Sequence, residues 1–226
     1  MKIVLLGTGC PQVDPRRMGP AALILAGTRR LLFDCGSGVT QRLVQAGTKG
    51  AEIDALFLTH LHSDHVVDFH QLLVSSWHQG RDRPWKVFGP PGTIGFVERS
   101  AALWKPELAQ RIAHERRPST AALEVEVEEI APGQRLTVGA VAVDVVAVDH
   151  QPVRHAFGFV CSGGGRRIAL SGDTRYCPAL IRAARGAEVL VHEVFIHREM
   201  PVVPGLRSAE TVANVMAYHT VSDQVG

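Results

Sequence analysis

Six consecutive residues, His60-Leu61-His62-Ser63-Asp64-His65, bring three imidazoles and a carboxylate together. They follow the apolar run Ile53 to Leu58, which reads as a buried strand arriving from a core. In extended backbone alternate side chains share a face, so His60 and His62 point the same way and can grip one divalent ion. Asp64 and His65 fall where the chain turns into the apolar-periodic segment Val66 to Trp77, a predicted helix. That change of direction aims them at a neighbouring position, so the spacing points to two metal positions. The bland alternative is a solvated loop with accidental histidines, and so dense a donor pattern counts against it.

Further candidate donors sit at strand ends. Asp34-Cys35-Gly36-Ser37-Gly38 closes a predicted strand, Arg29 to Phe33, and on turn preference alone Asp34 is as readily a turn residue as a functional carboxylate. His150 lies in Asp149-His150-Gln151-Pro152, where the proline turn by itself favours a loop role. Asp173 follows the strand Arg166 to Leu170 within Ser171-Gly172-Asp173-Thr174, again a turn setting.

The His60 to His65 motif resembles that of the metallo-β-lactamase superfamily, and the flanking text is most similar to its tRNase Z and arylsulfatase-like hydrolases. Phe33-Asp34-Cys35-Gly36 and Phe88-Gly89-Pro90-Pro91-Gly92 carry the same resemblance. It implies that His60, His62 and His150 hold one ion and leave a fourth position open for water. It also implies that Asp173 bridges to a second ion, whose site Asp64 and His65 share. Asp34 is then expected to hydrogen-bond the back of a ligating ring, as bound imidazoles usually require. His192-Glu193-Val194 looks like the family's His-Glu-Ala segment, and Tyr218-His219-Thr220-Val221-Ser222 resembles its His-Ser-Thr loop. Glu193 would thus orient His219 as a general acid, although His219 taken alone also reads as a solvated residue near a helix start. His155 matches no ligand position and stays a substrate-side residue. His70 and His78 read as ordinary helix residues, and His114 as part of a surface connection running to Pro118.

The chemistry implied is that of a binuclear metal-dependent hydrolase of ester bonds, with a bridging hydroxide as nucleophile. Asp64 would orient that hydroxide or take its proton, and His219 would protonate the leaving oxygen. Two zinc ions are the expected cofactor, with manganese or iron also compatible with imidazole and carboxylate donors. We expect the substrate to be a phosphodiester or sulfate ester of small to modest size. The tRNA-gripping arm of the relatives has no room in the short hairpin between His150 and Asp173. Their basic loop is only loosely echoed by Asp14-Pro15-Arg16-Arg17. RNA is therefore disfavoured as a partner relative to a small-molecule ester. The alternatives are a tRNase Z-type RNA 3′ endonuclease, a lactonase or β-lactamase-like hydrolase, and a metal-stabilised binding protein without catalysis. Relatives are often dimers, so a homodimer is compatible.

What must position these residues is legible in outline. The chain has 226 residues, 46% of them apolar, enough for one domain of two packed halves over residues 1–226. Strands interleaved with helices come first and a run of antiparallel strands follows, which permits the α/β fold that the resemblance implies, a four-layer αββα sandwich. The expected elements include helices over Val39 to Ala46 and Thr93 to Trp104, and strands over Lys2 to Leu6, Ala21 to Ala26 and Leu123 to Ile130. Gly7-Thr8-Gly9 lacks the later glycine and helix of a dinucleotide fingerprint, since Pro11 and Pro15 intervene. The net charge is +2, and the basic residues come as scattered pairs and not as a nucleic-acid footprint. Cys10, Cys35, Cys161 and Cys177 form no paired motif and read as free thiols of a cytoplasmic protein without a membrane span. Family members continue through a helix and one more strand that ends in a last His ligand. This sequence stops at Val225-Gly226, so either the chain is shortened and lacks that strand or the second site lacks its last imidazole; we expect shortening, since an unpaired sheet edge would otherwise be left where the strand should lie.

Overall fold

The structure, a computed structural model, describes residues 1–196, 198 and 200–225. It divides into two compact units, Met1–Ile130 and Ala131–Gly226, with one sheet in each.

The first unit runs β1 (Lys2–Gly7), β2 (Ala21–Ala26), β3 (Arg29–Phe33), α1 (Val39–Gln45), β4 (Ala55–Phe57), α2 (Ser63–Val66), α3 (Phe69–His78), β5 (Trp85–Gly89), α4 (Thr93–Glu115) and β6 (Val125–Glu129). The sheet order is β1-β2-β3-β4-β5-β6, antiparallel through β3 and parallel from β3 onward. Parallel neighbours need crossovers, and α1, α3 and α4 lie in those crossovers. Strands covered on both faces read as unbroken apolar runs and do not alternate, and the three residues of β4 are all 0% exposed. Leu32, Leu56, Val66, Leu72 and Trp85 share one buried core, so both flanks of the His60 to His65 segment are anchored in it.

Two helices depart from the expected boundaries. The expected helix from Val66 to Trp77 is broken, with α2 ending at Val66 and α3 starting at Phe69. Asp68 lies at the break: its Oδ2 accepts hydrogen bonds from Thr40 N at 2.9 Å and Thr40 Oγ1 at 2.7 Å, and its own N–H donates to Cys35 O. The helix expected to stop at Trp104 runs on to Glu115, 23 residues in all, and takes in His114, which is therefore not in a surface connection. Pro106 is tolerated inside it, and Arg111 pairs with Glu107 and Glu115 one turn away on either side, supporting the extension.

The second unit runs β7 (Arg135–Val138), β8 (Val141–Ala147), β9 (Phe157–Gly163), β10 (Arg166–Leu170), α5 (Pro178–Ala184), β11 (Val189–Val191) and α6 (Ala209–Met216). Its order is β11-β10-β9-β8-β7, antiparallel except for β10 and β11, which are parallel and joined through α5. Along β8 the buried side chains alternate, Val141, Val143 and Val145, as in a sheet with one covered face. β9 and β10 meet at Gly164-Gly165, both at positive φ, the backbone that a two-residue hairpin turn requires. The expected short hairpin between His150 and Asp173 is thus present.

All four cysteines are free. Burial pushes the Cys35 thiol well above its usual range, with the Asp68 and Asp34 carboxylates adding to it, and burial raises Cys161 likewise. Both remain neutral thiols, unsuited to metal ligation or nucleophilic attack. Among the described residues no helix is long and apolar enough to cross a membrane.

Candidate metal centre

In the first unit the C-terminal ends of β3 and β4 build one polar network in a buried setting. Thr59 N donates to Asp34 Oδ1 at 2.8 Å, and Thr59 Oγ1 donates its single proton to Asp34 Oδ2 at 2.8 Å. The same hydroxyl oxygen lies 3.0 Å from His60 Nδ1, so it accepts the ring N–H. His65 Nδ1 donates to Asp34 Oδ2 at 2.8 Å. Both rings therefore carry their proton on Nδ1 and their lone pair on Nε2, the tautomer a metal ligand needs. The His60 ring is 4.6 Å from that of His62 and 4.2 Å from that of His65, centroid to centroid. His65 Nε2 and Asp64 Oδ2 face each other at 3.8 Å.

Local backbone makes this closeness feasible. Asp34 sits at φ 58°, a left-handed conformation that Asp tolerates better than most residues. A Cβ at position 36 would meet Gly19 C at 2.5 Å and Asp64 O at 2.7 Å, so only glycine lets the two segments approach.

In the second unit His150 is fully buried, and its Nδ1 donates to Tyr218 O at 2.9 Å. A carbonyl can only accept, so the His150 lone pair also lies on Nε2, 3.9 Å from Asp173 Oδ2. His219 Nδ1 donates to Glu193 Oε1 at 2.9 Å, and that oxygen also accepts from Thr174 N at 3.0 Å and Thr220 N at 3.2 Å. Thr220 Oγ1 donates to Thr174 O at 2.6 Å, tying the loop of His219 to the loop of Asp173. The His219 side chain is 19% exposed, within reach of a substrate.

The structure thus joins Asp34, His60, His62, Asp64 and His65 in one cluster, and His150, Asp173, Glu193 and His219 in another. His155 is exposed. His70 stacks on Trp104 at 4.5 Å and His78 Nδ1 donates to Val74 O, helix residues as expected. Thr59, Thr174, Thr220 and the Tyr218 carbonyl had no role assigned from sequence. Each adjoins a candidate residue in the chain, and the three threonines are almost fully buried, but burial is invisible in a sequence.

The donors suit a divalent metal: three imidazoles fixed in the Nε2-donating tautomer, a further ring, and two carboxylates. The mixed α/β architecture is that of the metallo-β-lactamase fold, and the ribonuclease Z relatives place the chain among the metal-dependent hydrolases of that fold. The chain belongs to the ribonuclease Z family, and the family model that matches it, described as Anti-Pycsar protein Apyc1, spans residues 1–205. It is 36% identical to a ribonuclease Z of Mycobacterium bovis (BCG) over 223 residues, covering 97% of this chain and 78% of that protein. The short form of human tRNase Z has the same fold, with a TM-score of 0.72 at 22% identity over 99% of this chain and 94% of that one. Zn(2+)-bound PqqB from Methylobacterium extorquens superposes with a TM-score of 0.60 at 19% identity, over 88% of this chain and 73% of that one.

These relatives support the tRNase Z side of the resemblance, not the arylsulfatase side, and they undercut the reason for disfavouring RNA. The M. bovis alignment of 223 residues takes up 97% of this chain, which leaves no space within it for an arm of tens of residues. A protein named ribonuclease Z therefore lacks such an arm over the aligned stretch, and a short hairpin is no argument against that activity.

Proposed function

We propose that the chain is a ribonuclease Z-type phosphodiesterase acting on RNA, its two units working as one domain with zinc as the metal. The observation that carries this reading is the 36% identity to a ribonuclease Z across 97% of the chain. On the resemblance to the metallo-β-lactamase superfamily, His60, His62 and His150 would hold one ion, and Asp64, His65 and Asp173 would serve a second. A divalent cation held there supplies Lewis acidity, lowering the pKa of water and offsetting charge on the phosphoryl oxygens.

The chain's own residues then divide the proton work. Asp64 holds the attacking water and takes its proton. His219, kept upright by Glu193, gives the proton on Nε2 to the departing oxygen. A smaller phosphodiester is the second reading, favoured by basic residues that come as scattered pairs and not as a run.

One substitution tests the assignment and separates the readings. In the metal-loaded protein His219→Ala lowers kcat on precursor tRNA by about a hundredfold or more, the usual scale of general acid catalysis. On bis-p-nitrophenyl phosphate the loss is small, because p-nitrophenolate leaves without a proton. Equal, small losses on both substrates contradict the role of His219. Turnover of the aryl diester without cleavage of any RNA selects the second reading.

A further inference from the structure

Beside His219 in the second unit lies an open pocket of about 400 Å³. That volume falls within the roughly 300–1,000 Å³ of small-ligand sites. Met216, Ala217 and Val221 are among the residues that supply apolar surface, and Arg175, Tyr176 and His219 itself also line it. Arg175 is not free to swing: its Nε and Nη2 both reach Asp149 Oδ2 at 2.8 Å, and its backbone N donates to Asp149 O. Tyr176, next in the chain, is thereby presented from a fixed backbone, with 57% of its surface exposed. Among the described residues no carboxylate belongs to the lining. An aromatic ring, aliphatic surface and an anchored guanidinium suit a flat heterocycle with polar edges, and nucleobases bind by stacking on such rings.

We propose that this pocket receives the nucleoside on the leaving side of the scissile phosphodiester, its base stacked on Tyr176. The proposal rests on the ribonuclease reading. The P–O bond to that nucleoside breaks as the water oxygen bonds to phosphorus, and the His219 proton passes to the departing oxygen. A residue that both delivers this proton and lines the pocket puts the leaving nucleoside beside it.

The test uses the full zinc-loaded chain and adenosine as probe, with ribose as control. Adenosine binds the parent protein and ribose does not. Tyr176→Ala weakens adenosine binding about tenfold and raises KM on precursor tRNA by a similar factor, with kcat within about twofold, as stacking energies dictate. Tyr176→Phe restores both values. An adenosine affinity unmoved by Tyr176→Ala, in a protein that cleaves RNA, overturns the pocket and leaves the ribonuclease reading standing. Adenosine binding that depends on Tyr176 in a protein cleaving no RNA retains a nucleoside site and removes the ribonuclease reading instead.

Discussion

His62→Ala is expected to abolish turnover of every phosphodiester and to lower the metal bound per chain. His62 precedes α2 and makes no side-chain cap to it, and it is only partly buried, so its loss leaves the helix and the core around Leu56 and Val66 in place. What it removes is an imidazole beside His60, whose ring is 4.6 Å away. Losing a group behind a metal ligand typically costs about 10–100-fold in affinity or activity, and losing a ligand costs more. The metal-free variant and metal-free parent should melt alike, while metal analysis and kinetics diverge. Full activity with undiminished metal would remove His62 from the site.

Asp34→Asn carries the second large effect and acts through atoms that touch no substrate. Asp34 accepts from Thr59 N, from Thr59 Oγ1 and from His65 Nδ1. Asn is isosteric and tolerates the φ of 58° at this position, so the turn survives. Its amide nitrogen cannot accept, however. If the side-chain oxygen keeps Thr59 N, the NH2 group meets the His65 N–H and the Thr59 hydroxyl. His65 is then driven to the other tautomer, with its proton on the nitrogen that should face the metal and Asp64. The expectation is a loss of about 10–100-fold in metal affinity, the scale for groups behind a ligand, with secondary structure retained. Metal titration of the two proteins measures it directly. An unchanged affinity would make Asp34 a turn residue after all, the other reading its sequence setting allowed.

How much of this could be read from the chain depended on how local each interaction is. His60 to His65 stood out because the donors are adjacent in sequence, and β4 because burial on both faces leaves a continuous apolar run. The strands Ala21–Ala26, Arg29–Phe33 and Arg166–Leu170 have the bounds expected, since tight turns containing glycine delimit them. The break at Asp68 was not legible: it goes with bonds to Thr40, 28 positions earlier in the chain. Nor was the tautomer of His150, which depends on a carbonyl 68 residues away. The extension of the helix from Trp104 to Glu115 was not legible either, since a proline such as Pro106 inside a periodic pattern normally marks a helix end. The substrate was harder still. Its choice rested on a missing arm, and a ribonuclease Z that aligns without such an arm shows that this absence does not discriminate.

The measurement that bears most directly on the account is cleavage of precursor tRNA by the full chain before chelation, after chelation, and after zinc is added back. Release of the 3′ trailer should stop when the metal is removed and return when zinc is restored, with recovery tracking the bound zinc. Cleavage that persists at the same rate in the metal-free protein, or its absence in protein that has bound zinc fully, would contradict a zinc-dependent ribonuclease Z-type phosphodiesterase.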